Sequence, residues 1–103
     1  MEFLSREEVV RDLTDSMQSI MVQYDVEDIG VYEEEGEGNQ YYMGYTIRKN
    51  GKVYMINTPY VKNEDHELAQ QNQIWTIQEG TGESKGYQSL SDVFKKINER
   101  NLH

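Results

Sequence analysis

The sequence predicts a single α+β domain over residues 1–103: an N-terminal helix, a four-stranded antiparallel β-meander and a C-terminal helix, with both helices on one face of the sheet. Three observations carry that prediction. Apolar residues recur with helical spacing over the first 24 positions and again after residue 89, and with a period of two in the strands between. The dipeptide Asn50-Gly51 separates two alternating runs, and it suits a hairpin turn with positive φ at both central residues. A chain of 103 residues has room for one hydrophobic core and too little material for a second.

The first helix is expected over about residues 6–24. Ser5-Arg6-Glu7-Glu8 has the spacing of a capping box, in which the Ser5 hydroxyl accepts from the Glu8 amide while the Glu8 side chain reaches back to the Ser5 amide. Leu4 and Val9 stand at hydrophobic-staple spacing around the cap, and Val9, Val10, Leu13, Met17, Ile20, Met21 and Tyr24 form the apolar stripe. Asp25-Val26-Glu27-Asp28 makes the exit.

Ile29 to Tyr32 reads as a first short strand, residues 40–49 as a second and 52–61 as a third. If Lys49 faces Lys52 across the turn, one hairpin face pairs Ile47 with Tyr54, Tyr45 with Ile56, Met43 with Thr58 and Tyr41 with Tyr60. That face is nearly all apolar or aromatic and should carry the core. The other pairs Arg48 with Val53, Thr46 with Met55, Gly44 with Asn57 and Tyr42 with Pro59. Pro59 lacks an N–H, so the third strand is expected to stop pairing on one side there.

Residues 62–73 read as a polar connection with a helical turn near His66 to Gln71, and 73–79 as the fourth strand. The glycines of GTGESKG, residues 80–86, read as a mobile link. Ser89 caps the last helix, whose stripe is Leu90, Val93, Phe94 and Ile97.

Composition narrows function mainly by exclusion. The formal net charge is −9, but residues 1–40 hold 12 acidic and 2 basic side chains, whereas residues 41–103 hold 7 and 8. Phosphate-backbone binding needs clustered Lys and Arg, so direct nucleic-acid and anionic-membrane binding are disfavoured. There is no cysteine, hence no disulfide or thiolate zinc site, and a reducing cytoplasm is comfortable. No apolar run approaches the length of a membrane span, and MEFLSREEVV lacks the basic start and apolar stretch of a signal peptide. The expectation is a soluble cytoplasmic protein.

The acidic segment VYEEEGEGNQYY, residues 31–42, mimics the rhythm of a calcium loop, with Glu33, Glu35, Glu37 and Gly38 in step. Position twelve of that count is Gly44, where a glutamate belongs, and strands flank it where helices are required. It is expected to be a solvated turn. His66 lies among Glu64, Asp65 and Glu67, and the second histidine is the terminal His103, too few for a transition-metal site. No nucleophile motif is present. The chain is expected to be no enzyme and to need no cofactor or metal.

The segments VEDIGVYEEE at 26–35, YYMGYTIRKNGKVYMI at 41–56 and QIWTIQ at 73–78 resemble a family of short proteins of unknown function from Bacillus-like bacteria. That resemblance implies a small bacterial cytosolic protein and transfers no catalytic or binding residue. The residues themselves favour a non-enzymatic interaction domain that binds an unknown protein partner, or itself, through the less covered sheet face or an edge, with Tyr32, Tyr42, Val53 and Met55 as the candidate surface. Two alternatives stand beside it: a small-ligand or enzymatic pocket between helix and sheet anchored by tyrosines and carboxylates, and an acidic mimic that occupies a nucleic-acid-binding protein.

Overall fold

The computed structural model describes residues 2–100. Helix α1, Arg6–Tyr24, starts at Ser5, whose extended backbone (φ −63°, ψ 155°) and side chain, accepting from the Glu8 amide at 3.2 Å, make the expected N-cap. The return bond differs: the Glu8 carboxylate accepts from the Ser5 hydroxyl at 3.1 Å. Asp25 ends the helix in the left-handed region at φ 55°.

Strands β1 (Asp28–Glu35), β2 (Gln40–Lys49) and β3 (Lys52–Lys62) form an antiparallel meander. Asn50 and Gly51 take φ of 52° and 79°, and the register is the one this turn imposes, Lys49 opposite Lys52 through Tyr41 opposite Tyr60. Glu33, Glu34 and Glu35 belong to β1, so the acidic turn begins only at Gly36, later than expected. Their pairing with Met43, Tyr42 and Tyr41 extends the ladder that far.

The sheet has six strands where four were expected. Strand β4, Leu68–Gln70, replaces the helical turn expected at 66–71. Asn63 explains the substitution, because its side-chain oxygen accepts from the Asp65 and Glu67 amides and turns the chain. That leaves Leu68 and Ala69 buried against the end of β3, and Leu68 paired with Leu4. Strand β5 is Trp75–Glu79, and β6, Gly82–Tyr87, occupies the stretch expected to be a mobile link. Gly80, at φ 57°, starts the two-residue turn between them. Gly86, at φ 99°, is the extra residue of a β-bulge, since Trp75 faces Tyr87 while Thr76 faces Lys85. The glycines therefore shape a strand.

The order across the sheet is β1-β2-β3-β5-β6, with β4 also on β3. On its far side β3 pairs with β5 through Met55 to Asn57 and with β4 from Tyr60, and the interruption falls at Thr58 and Pro59, as a missing N–H requires. Helix α2, Leu90–Arg100, is capped by Ser89, which accepts from the Asp92 amide at 3.1 Å.

Ile20 of α1 and Val93, Phe94 and Ile97 of α2 share one buried cluster with Tyr45, Ile47, Tyr54, Ile56 and Ile77 of the sheet. The rings of Tyr24 and Phe94 stack at 4.2 Å between centroids. A smaller cluster joins Val9, Met43 and Leu68. The α1 stripe supplies no cation to its own last turn, and β2 provides one: buried Lys49 donates to the carbonyls of Tyr24 at 2.7 Å and Asp25 at 3.0 Å.

Candidate functional site

Strand periodicity sends alternate residues away from the core. The pairings align Tyr32, Gly44, Asn57, Thr76 and Lys85 in one row across the sheet. The next row holds Thr46, Met55, Gln78 and Glu83, and on the other side Glu34, Tyr42 and Pro59 stand together. All four expected residues lie on this side. Tyr32, Tyr42 and Met55 are half-buried, and Val53 is 44% exposed at the hairpin end.

Gly44 shapes the centre. A Cβ there would lie 1.9 Å from the Ile56 carbonyl oxygen and 2.7 Å from the Asn57 Cα, so β2 and β3 close together on the side to which that Cβ would point. The sheet curls toward this face. Curling brings the Tyr32 phenol, rooted in β1, within 3.3 Å of Gln78 of β5 across the two intervening strands, so that its one proton is offered either to Gln78 or to the Glu34 carboxylate. Burial, followed by the Glu34 carboxylate, pushes the Tyr32 hydroxyl up to about 12.

Asn57 lies in the curl and is 5% exposed, and its side-chain Nδ2 has no hydrogen-bond partner. It lines a cavity of about 210 Å³ with Glu34, Tyr42, Thr76, Gln78, Glu83 and Lys85. Gln78 donates to Glu83 at 3.4 Å, and Lys85 pairs with Glu83 at 3.1 Å. Those bonds hold the Glu83 carboxyl below its ordinary range. A second groove of about 240 Å³ shares Tyr42, Thr76 and Lys85 and runs past Pro59 to Ile74. Val53 lines a separate hollow with Asp28 and Arg48. Tyr32 and Tyr42 are thus brought to one polar site, with Val53 apart from it.

A cleft of about 450 Å³ opens between α1 and the sheet, walled by Leu4, Val9, Leu13 and Leu68 and floored by Tyr45 and Tyr60. The Tyr45 hydroxyl donates to the Leu13 carbonyl at 2.7 Å and is pushed up to about 12 by burial. Burial raises Tyr60 as well.

The sequence pattern of a family of unknown function, DUF5634, matches residues 3–97. The chain belongs to that family. No curated protein matches it.

In this DUF5634 chain the acidic segment is engaged from within. Glu33 accepts two hydrogen bonds from the Arg6 guanidinium, which lower its carboxyl, and Lys62 does the same to Glu35 at 2.9 Å. Among the described residues no group of three or more His, Asp or Glu side chains is arranged to hold a metal ion. His66 is exposed on a turn at φ 61°, and the Glu67 carboxylate beside it accepts from the Asn63 side chain. His103 lies outside the described residues. Among those residues no helix is long and apolar enough to cross a membrane.

Sequence reasoning missed Asn57, Thr76, Gln78, Glu83 and Lys85. The last two were lost with β6; the alternation of Glu83 and Lys85 against Ser84, with Gly80 as turn residue, is the signal that places them.

Proposed function

We propose that this chain is a non-enzymatic interaction domain of the bacterial cytoplasm that holds a segment of another polypeptide against the sheet face bearing Tyr32, Tyr42, Val53 and Met55. The observation that carries this is the groove of about 240 Å³ that runs past Tyr42, Pro59 and Ile74 on the face where Tyr32, Tyr42 and Met55 stay half-buried. Both helices are read as covering the opposite face, supported by the cluster their side chains share with Tyr45, Ile47, Tyr54 and Ile56. An amphipathic lining of tyrosine, methionine and paired charges suits a neutral polypeptide better than a strongly basic one.

The test is photo-crosslinking from position 42 in cells, with Tyr42→Ala compared in affinity capture after circular dichroism has shown an intact fold. Capture of the cross-linked polypeptide should be lost in the variant. Undiminished capture would overturn the proposal, and a cross-link to a second copy, confirmed by sedimentation, would replace the foreign partner by self-association.

A second reading rests on the 450 Å³ cleft, a volume within the range of small-ligand sites. Leu13→Trp should fill it and abolish binding of any apolar ligand found by thermal-shift screening. The acidic-mimic reading has less support, because Glu33, Glu34 and Glu35 already bond to Arg6, Tyr32 and Lys62.

A further inference from the structure

We infer that two copies of this chain pair antiparallel along β6, centred on Ser84, so that the sheet of one molecule continues into the other. The inference is independent of the docking proposal. Strand β6 ends the order across the sheet and has β5 on one side only. The two-residue turn Gly80-Thr81 makes Glu79 and Gly82 a hydrogen-bonded pair, which leaves Gln78 and Glu83 as a non-bonded pair and makes Ile77 and Ser84 the next bonded one. The amides and carbonyls of Glu83 and Lys85 therefore point away from the sheet. Between them Ser84 is fixed from within, its hydroxyl accepting from Tyr87 and from Arg100 at 2.9 Å each. The edge is shaped before a partner arrives.

The run Gly82-Glu83-Ser84-Lys85-Gly86 is its own complement. Turned about Ser84, it sets Glu83 opposite the partner's Lys85 and Lys85 opposite the partner's Glu83, and each such pair exchanges backbone hydrogen bonds through its outward groups. Glycine faces glycine on either side, so no side chain collides where the strand bends at Gly86, at φ 99°. Glu83 and Lys85 lie 3.1 Å apart within one copy, and pairing gives each a second neighbour of opposite sign. The opposite edge cannot do this. An antiparallel pair of β1 strands centred between Val31 and Tyr32 would set Asp28 against Glu35. Charge follows the same division: residues 1–40 hold 12 acidic and 2 basic side chains, whereas residues 41–103, which include β6, hold 7 and 8. Two copies thus meet at their least acidic edge. The dyad of an antiparallel pair stands normal to the sheet, so both copies turn the Tyr42 face the same way.

The experiment is sedimentation equilibrium of the full chain from about 10 µM to about 1 mM, the range that suits so small a contact. A reversible dimer is expected. Glu83→Lys and Lys85→Glu each turn both cross-strand charge pairs into like-charge pairs, and each should weaken dimerisation about tenfold or more. Mixed in equal amounts, the two variants restore opposite signs at both positions and should pair with each other while neither pairs with itself. Should either variant fail to fold by circular dichroism, the ¹⁵N-labelled parent carries the test: its Glu83 and Lys85 amide signals should move with concentration while those of β1 stay.

A monomer throughout that range, dimerisation indifferent to both charge variants, or a mixture that stays monomeric would overturn the inference, as would concentration shifts at β1 in place of β6. Tyr42→Ala should leave the dimer intact. Loss of the dimer in that variant would place the contact on the face and overturn the edge pairing, whereas loss of capture with the dimer unchanged leaves both proposals standing.

Discussion

Replacing Gly44 by alanine adds one methyl group where no space exists. The new carbon would sit 1.9 Å from the Ile56 carbonyl oxygen, against an ordinary carbon–oxygen contact of about 3.3 Å. No rotamer relieves this, because the clashing atom is backbone and the new one is fixed to the chain. The backbone of Gly44 is not left-handed, so the whole effect is one of space. Strands β2 and β3 must part locally by over an ångström, which disrupts the ladder beside the Tyr45–Ile56 and Met43–Thr58 pairs. Two lost ladder bonds at about 1 kcal/mol each, with about 1–3 kcal/mol for overpacking, give a loss of about 3–5 kcal/mol. That is a large share of the roughly 5–15 kcal/mol that holds a domain together. Gly30 in β1 is the matched control: a Cβ there meets nothing within 4 Å, so Gly30→Ala should gain about 0.4–1 kcal/mol. Urea unfolding followed by the fluorescence of the sole tryptophan, Trp75, measures both. Equal midpoints for the two variants would refute the close approach of β2 and β3.

Three further outcomes are expected. Lys49→Met removes both donors to the last carbonyls of α1 and should cost about 1.5–3 kcal/mol, with faster amide exchange confined at first to the final helical turn. Ser89→Ala should lower stability by about 1 kcal/mol, seen as an earlier urea midpoint with an unchanged slope. The Tyr32 hydroxyl titrates near 12 in the folded chain against an ordinary 10, so its contribution is fully present below pH 10 and is lost as pH rises through 12. Tyr45, also near 12, and Tyr60 act in the same direction. Tyr32→Phe should therefore lessen the alkaline loss of stability without abolishing it, as followed by circular dichroism.

Local chemistry was legible in the sequence where it settles geometry within a few residues. Ser5 and Ser89 cap helices because a hydroxyl three residues from a free amide has few other uses, and Asn50-Gly51 fixed a register of ten pairs because its turn admits one. Strand β4 was hidden because it is three residues long and held by distant partners, Leu4 and the end of β3. Strand β6 was hidden because glycine signals freedom as readily as a bulge, and only pairing with β5 separates the two. Lys49 was predicted to face Lys52, yet its burial under the end of α1 depends on how helix and sheet dock. Tyr32 and Tyr42 fell on the expected side by alternation alone. The close approach of β2 and β3 at Gly44, opposite Asn57, is a backbone contact no periodicity records.

The bond between Leu4 and Leu68 bears on how this molecule opens. Leu4 both donates to and accepts from Leu68 through the backbone, at 2.8 and 2.7 Å, and both side chains wall the cleft beneath α1. Loop-closure entropy makes a contact so distant along the chain slow to form compared with a hairpin closed by two residues. It is also thin, one short strand tied to one residue, and such features open by local fluctuation well below the free energy of global unfolding. The wall of the cleft is in this sense a latch, made late in folding and released early.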